Sequence, residues 1–264
     1  MSRGMGYKPD LLAEQGEDRD ERPLHDEHVG LIRERVGIST SRTWQHLLDR
    51  VLDQSSTNAC VSCSLSNAIY LRGSYERAMG LGPGVDRPSA LWSYGVARWR
   101  DSPGVLIDDG CRPRQALIGA QMHGIVSESR WPFDPADVNV APPFDLDLAG
   151  ADARLTGWYS ADGEPNTADA MRAALDVGHF PIFAIDVYEN FYEYHGRDVY
   201  SQPAGAWRGQ HMLTAVAYRP GAIGFLNSWG ADSHDGGFGW FSDEFIRSHY
   251  TKQRLVVTAA PASR

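Results

Sequence analysis

The chain has 264 residues, long enough to bury a full core, and one enzyme-sized unit of two lobes is a better expectation than two independent domains. Its 25 Lys plus Arg stand against 34 Asp plus Glu, a net charge of -9 with no basic cluster, which argues against a nucleic-acid or anionic-membrane partner. No run of about 18 apolar residues is present and Met1 to Asp10 has no apolar core, so neither a membrane helix nor a standard signal peptide is expected. Synthesis in a cytosol is then the default, with export by a non-classical route left open, and three cysteines do not make a disulfide framework.

In chain order, residues 1–35 are polar and charged, with Glu14, Glu17, Asp18, Asp20, Glu21, Asp26 and Glu27 crowded together, and read as an exposed or partly disordered arm. From Gly37 to Gln54 the apolar residues Trp44, Leu47, Leu48, Val51 and Leu52 have a mixed period that leaves helix and extended strand both open. Asp53 to Tyr70 is a polar loop running into a buried helix. Thr57 or Asn58 can cap it, which puts Cys60 in the first turn, with Cys63, Leu65, Ala68, Ile69 and Leu71 apolar inside. A thiol there feels the positive end of the helix dipole, which favours the thiolate, and a nearby imidazolium would favour it further. The plainer alternative is that Cys60 is a small buried hydrophobe.

A Gly/Pro-rich loop at Gly80 to Gly84 leads to a second helix starting at Pro88, whose Trp92 and Tyr94, with Trp99, read as core. A third helix follows Asp108-Asp109-Gly110-Cys111, with Pro113 near its start and Gly124 just past its end. Residues 134–150 hold Pro135, Pro142, Pro143 and four aspartates, a crossing segment, and the boundary between a helical lobe (36–150) and a second lobe (151–264) is expected there. Beyond it lie a capped helix, Asn166 to Leu175, and strand-like runs at Pro181–Tyr188, Gly209–Tyr218, Ile223–Asn227, Phe238–Phe241 and Leu255–Thr258. The class is α+β. His25 and His28 in the charged arm and His234 in a Gly/Asp loop show no metal spacing and read as solvated surface, and no metal or other cofactor is called for.

Three segments carry a resemblance. The spacing Gln54-x5-Cys60-x3-Ser64 at the mouth of an apolar helix, the strand opening Gly209-Gln210-His211, and the turn Asn227-Ser228-Trp229-Gly230 resemble the active-site segments of papain-like cysteine peptidases, in the family's order Cys, His, Asn and with separations of about its size. Arg130-Trp131-Pro132-Phe133 is similar to the family's aromatic-proline corner, and Gly6-Tyr7-Lys8-Pro9-Asp10 to openings of bacterial members. The resemblance implies a papain-like two-lobe fold: a helical N-terminal lobe, a β-barrel-like C-terminal lobe, and an active site in the cleft between them. It implies a hydrolase, a thiol endopeptidase acting on protein or peptide substrates, without cofactor and as a monomer. Other acyl transfer or deamidation on the same frame, and an inactive peptide-binding homologue, are the alternatives.

In that resemblance Cys60 is the nucleophile, His211 the proton carrier, Asn227 the group that orients the imidazole, and Gln54, with the Cys60 backbone N–H, the oxyanion hole. Trp229 would shield the His211 to Asn227 contact, and Gly110 would pair its backbone with substrate along the cleft. Cys63 occupies a core position and is taken as structural. The chain departs from the family at Ser55 and Asn58, which stand where glycine is usual, with Asn the better suited to left-handed backbone. Gln210 before His211 and Val61 after Cys60 also differ, and the leader is too short for the family's inhibitory propeptide, so regulation by such a prodomain is not expected.

Overall fold

Helix α1 (Cys60–Ala78) is the element on which the others are laid, and every residue from Cys60 to Ile69 is buried. A helix covered on all sides cannot show an amphipathic stripe. Its alternating small residues, Ser62, Ser64, Ser66 and Ala68, instead let neighbouring backbone come close, and their polar atoms find partners there: Ser66 Oγ donates to the Pro88 carbonyl at 2.7 Å and the Ser64 carbonyl accepts from Thr214 Oγ1 at 3.1 Å. The computed structural model describes residues 3–10, 40–142, 155, 157–161 and 167–257. The acidic run from Glu14 to Glu27, His25 and His28, the boundary expected at 150, the cap expected at Asn166 and the strand end at Thr258 lie outside them.

Two further helices pack beside α1. Helix α2 (Ala90–Asp101) begins two residues later than expected, because Ser89 is its cap, accepting from the Trp92 N–H at 3.0 Å, while Pro88 stays outside in a bridge to Ser127. Helix α3 (Pro113–Met122) has proline in its first turn, and Gly124 follows it at φ 84°. Tyr94 of α2 ties down the turn between them: its hydroxyl donates to Asp108 Oδ1 at 2.7 Å and accepts from the Gly110 N–H at 3.0 Å.

The rest is mainly sheet. Strands β1 (Arg42–Thr43), β2 (Trp158–Ser160), β3 (Phe180–Tyr188), β4 (Val199–Tyr200), β5 (Trp207–Arg219), β6 (Ala222–Leu226), β7 (Phe238–Ser242) and β8 (Thr251–Val257) form one eight-stranded sheet in the order β2-β8-β3-β5-β6-β7-β4, with β1 on β5. The path has two ends, β2 and β4, and among the described residues no pairing joins them. The described strands are thus an open sheet, where the resemblance implied a barrel. Helix α4 (Thr167–Asp176) and the short helices α5 (Glu189–Tyr192) and α6 (Asp243–Arg247) join the strands. Phe183, Phe191, Phe225, Phe241 and Phe245 pack as an aromatic core between them, with Phe225 to Phe241 and Phe241 to Phe245 ring centroids both 4.5 Å apart.

The stretch left open between helix and strand, 37–54, is described from residue 40: β1, a single 3-10 turn (Gln45–Leu47) and then extended chain. Tertiary bonds decide it. Trp44 Nε1 donates to the Leu175 carbonyl at 2.8 Å, and Leu52 and Gln54 exchange backbone bonds with the Asn227-Ser228-Trp229-Gly230 turn.

Ser89 gives a test of this packing. Its hydroxyl accepts the Trp92 N–H and donates to the buried Trp131 carbonyl at 2.7 Å. Ser89→Ala removes both bonds and is expected to cost about 1–2 kcal/mol of stability, read as a lower urea midpoint at unchanged slope.

Candidate active site

Gln54 is fully buried at the head of the loop that leads into α1, and each of its polar atoms is committed. Its backbone N–H donates to the Ser228 carbonyl at 2.8 Å, its Oε1 accepts from Ser228 Oγ at 2.6 Å, and its Nε2 donates to the carbonyls of Thr57 at 2.7 Å and Gly4 at 3.2 Å. Ser55, next in the chain, is left-handed at φ 56°, where the resemblance has glycine, and its N–H is satisfied by Asp53 Oδ1 at 2.8 Å. Asn58 does not need that geometry.

Neither expected cap residue caps α1. Ala59 takes that position without a side-chain bond; Thr57 Oγ1 donates to the Gln54 carbonyl, and Asn58 bridges Asp108 and Met5. Cys60 is therefore the first residue of the helix, as the spacing implied, with its N–H free of an intrahelical partner.

Strand β5 brings His211 to this end of α1. The Met212 backbone, one residue on, lies near the Cys60 sulfur and tempers the rise in its pKa. The His211 ring is fully buried, and its Nε2 lies 2.8 Å from Asn227 Oδ1. An amide oxygen only accepts, so Nε2 carries the proton and Nδ1, which has no hydrogen-bond partner, is the basic nitrogen. Trp229 covers this pair with ring centroids 4.8 Å from His211, and Tyr192 stacks on its other side at 5.4 Å and 9°. His211, Asn227 and Trp229 thus come together, with Gln54 tied to Ser228 beside them and Cys60 at the start of a helix packed on β5; no hydrogen bond joins His211 Nδ1 to the Cys60 sulfur. His234 joins them: its Nε2 lies 2.9 Å from Asn227 Nδ2 and its ring packs on Phe191, Tyr194 and Trp229. The sequence reading of His234 as solvated surface is corrected by this contact. Its spacing, seven residues past Asn227, was the only trace of the role.

The expected exposed arm is also different where it is described. Residues 3–10 lie across the site as an extended strap. Gly4 gives its carbonyl to Gln54, the Met5 N–H donates to Asn58 Oδ1 at 2.9 Å, the Gly6 carbonyl accepts from the Cys111 N–H at 2.9 Å, and the Lys8 N–H donates to the Cys111 carbonyl at 3.1 Å. The Gly6 backbone lies near the Cys60 sulfur and tempers the rise in its pKa. Ion pairs of Arg3 with Asp53 and Lys8 with Asp109 flank it, and Tyr7 Oη donates to Gln253 at 2.8 Å. Glycine is required at the crossing, because a Cβ on Gly6 would overlap the Asn58 carbonyl and one on Gly4 the Thr57 carbonyl. Gly110, at φ 95°, also packs against the Gly6 carbonyl, with its N–H donated to the Tyr94 hydroxyl, and the backbone bonds to the strap are made by its neighbour Cys111.

The strap sets the electrostatics. Cys60 and His211 have 0% of their surface exposed. Burial pushes the Cys60 thiol up to about 11 and the His211 imidazole down to about 4, so near neutral pH the covered pair is uncharged. The thiolate that the helix terminus alone would favour is not the covered form, since removal of water outweighs the dipole. Cys63 and Cys111 are buried and free, with their thiols raised by the same cause. Beside the strap an open groove of about 700 Å³ is lined by Arg3, Met5, Ser56, Asn58, Tyr192 and Glu193. Among the described residues no group of three or more His, Cys, Asp or Glu side chains could hold a metal ion, and no helix is long and apolar enough to cross a membrane.

The fold is that of papain-like cysteine proteases. The chain is similar to xylellain, a cysteine protease from Xylella fastidiosa, with TM-score 0.76 and 20% identity over 98% of this chain and 97% of that one. It is similar to procathepsin B S9 from Trypanosoma congolense, with TM-score 0.71 and 16% identity over 99% and 87%, and to the bromelain protease of Ananas comosus solved with the E64 inhibitor, with TM-score 0.59 and 20% identity over 86% and 100%. No protein-family model and no curated protein matches the sequence.

Thiol chemistry tests the strap. In the full chain, alkylation of Cys60 by iodoacetamide is expected to be slow at pH 7.5 and to rise about tenfold per pH unit toward pH 11, because a raised pKa leaves the thiol protonated until then. Deleting residues 1–10, or Gly6→Ala, should speed labelling of Cys60 at pH 7.5 and leave Cys63 and Cys111 slow, as read by peptide mapping. Equal rates at Cys60 with and without the strap would show that it does not cover the thiol in solution.

Proposed function

We propose that the chain is a cysteine peptidase that hydrolyses peptide bonds through a thioester acyl-enzyme, and that residues 3–10 hold it latent. The observation that carries this reading is that a peptide already lies in the groove: the Gln54 amide donates to one of its carbonyls while the Cys111 backbone pairs with two of its peptide groups. A groove whose side-chain donor meets a peptide oxygen beside a buried thiol is built for an acyl substrate.

With the strap displaced, His211 Nδ1 takes the proton of Cys60 and the sulfur attacks the substrate carbonyl carbon. The oxygen that becomes negative is held by Gln54 Nε2 and by the Cys60 N–H at the unsatisfied start of α1. The imidazolium then protonates the leaving amine, and water repeats the sequence to release the acid. Asn227 keeps the imidazole in the tautomer that bares Nδ1, and Trp229 keeps water from their bond.

The test uses the chain lacking residues 1–10, with its fold checked by circular dichroism, on a labelled peptide library followed by mass. Turnover well above that of the full chain is expected. Cys60→Ala or His211→Ala should each reduce it to background, and the double variant should be scarcely worse because the two act as a unit. Gln54→Ala should lose about 10²- to 10³-fold, since one oxyanion donor remains. Undiminished activity in His211→Ala would overturn the mechanism.

A further inference from the structure

We propose that His234 is a positioning residue that fixes the amide orientation of Asn227, and through it the tautomer of His211. This rests on the peptidase reading above for its effect on rate, but not for its effect on the imidazole. The argument is one of donors and acceptors. The Tyr194 carbonyl, 2.7 Å from His234 Nδ1, can only accept, so Nδ1 carries the proton and the neutral ring leaves Nε2 bare. A bare Nε2 at 2.9 Å from Asn227 Nδ2 accepts from it. The amide nitrogen of Asn227 is thereby drawn to His234 and its oxygen turned to His211 and to the Ser228 N–H at 2.7 Å. One proton on His234 thus determines, two residues away in space, which nitrogen of His211 is the base.

The loop holds this ring in place: the Asn227 N–H donates to the Gly237 carbonyl and the Gly237 N–H to the Ser233 carbonyl, and His234 is left-handed at φ 51°, a conformation histidine adopts more readily than most residues. Burial is the largest influence on His234 and holds its protonation below the ordinary histidine range, helped by Arg3 and the nearby His195 and opposed by the Tyr194 carbonyl; His211 lies beyond Asn227. Its chain neighbour Asp235 pairs with Arg197, and Tyr194 contributes only its carbonyl to the bond. When acid does protonate His234, Nε2–H meets Nδ2–H, two donors face each other, and the hold on Asn227 is lost.

The experiment compares His234→Phe, which keeps a ring in the aromatic pocket without an acceptor, with His234→Gln, whose amide oxygen accepts but does not titrate. Both lose whatever ease histidine has at φ 51°, so their difference isolates the acceptor. In strap-deleted chain, His234→Phe should lower kcat about five- to tenfold with KM within about twofold, the value in rate of one hydrogen bond between neutral groups, and His234→Gln should restore most of it while removing one ionisation from the acid limb of kcat. In Cys60→Ala protein, nitrogen NMR of the His211 ring should report a single Nε2-protonated tautomer in the parent and in His234→Gln, and a mixture in His234→Phe. An unchanged tautomer and unchanged kcat in His234→Phe, in a chain that melts as the parent does, would overturn the proposal. If no form of the chain cleaves peptide, the peptidase reading fails, and the NMR comparison still decides the role of His234.

Discussion

The pair of bonds between Gln54 and Ser228 is the constraint on which the site depends. The backbone N–H of Gln54 and its side-chain oxygen both reach the same residue, one accepting side chain and one donating backbone, across 174 positions of sequence. Ser228 follows Asn227, whose side chain sets the imidazole, and Gln54 opens the loop that ends at Cys60. A small shift between the start of α1 and the turn after β6 would therefore move Gln54 and Cys60 away from Asn227 and His211 together. Buried hydrogen bonds of this kind are costly to break on one side only, which makes the relative placement of the two parts close to all-or-none.

Given that frame, the charge state of the site is decided by water rather than by the groups themselves. The start of α1 favours a thiolate, yet the buried sulfur stays a thiol because burial removes the solvent that would stabilise a separated charge. His211 responds to the same exclusion in the opposite sense, losing its proton where the thiol keeps its own.

How much of this could be read from the chain follows from where each signal lies. The start of α1 at Cys60 and the turn at Asn227 just after β6 were legible because their own neighbours specify those element ends, while β5 begins at Trp207, two residues before the expected start at Gly209, and carries His211 inside it. The strap was not: Gly4 to Lys8 has no apolar period, and its partners are backbone groups and side chains lying between about 50 and 250 positions away. His234 was hidden for a related reason, since Gly, Asp and Ser around it describe a solvated loop, and only the fold sets that loop against Phe191 and Trp229. The caps of α1 failed because the Thr57 hydroxyl turns back to the Gln54 carbonyl three residues earlier and the Asn58 side chain is held by Asp108 and Met5. The open sheet, where a closed barrel was implied, reflects edges that sequence period alone does not assign to one another.

The tie between Tyr7 and Gln253 gives the strap a second anchor at the far end of the chain. A segment attached to the protein it covers acts as a ligand at an effective concentration on the order of millimolar, and diluting the protein does not lower it. A competing peptide must outbid that local concentration by affinity or abundance. One break in the chain between Asp10 and Gln54 would change the arithmetic, turning the covering peptide into an ordinary dissociating ligand held by a few backbone bonds. Uncovering would then be governed by mass action, and the nick need not fall near the thiol at all.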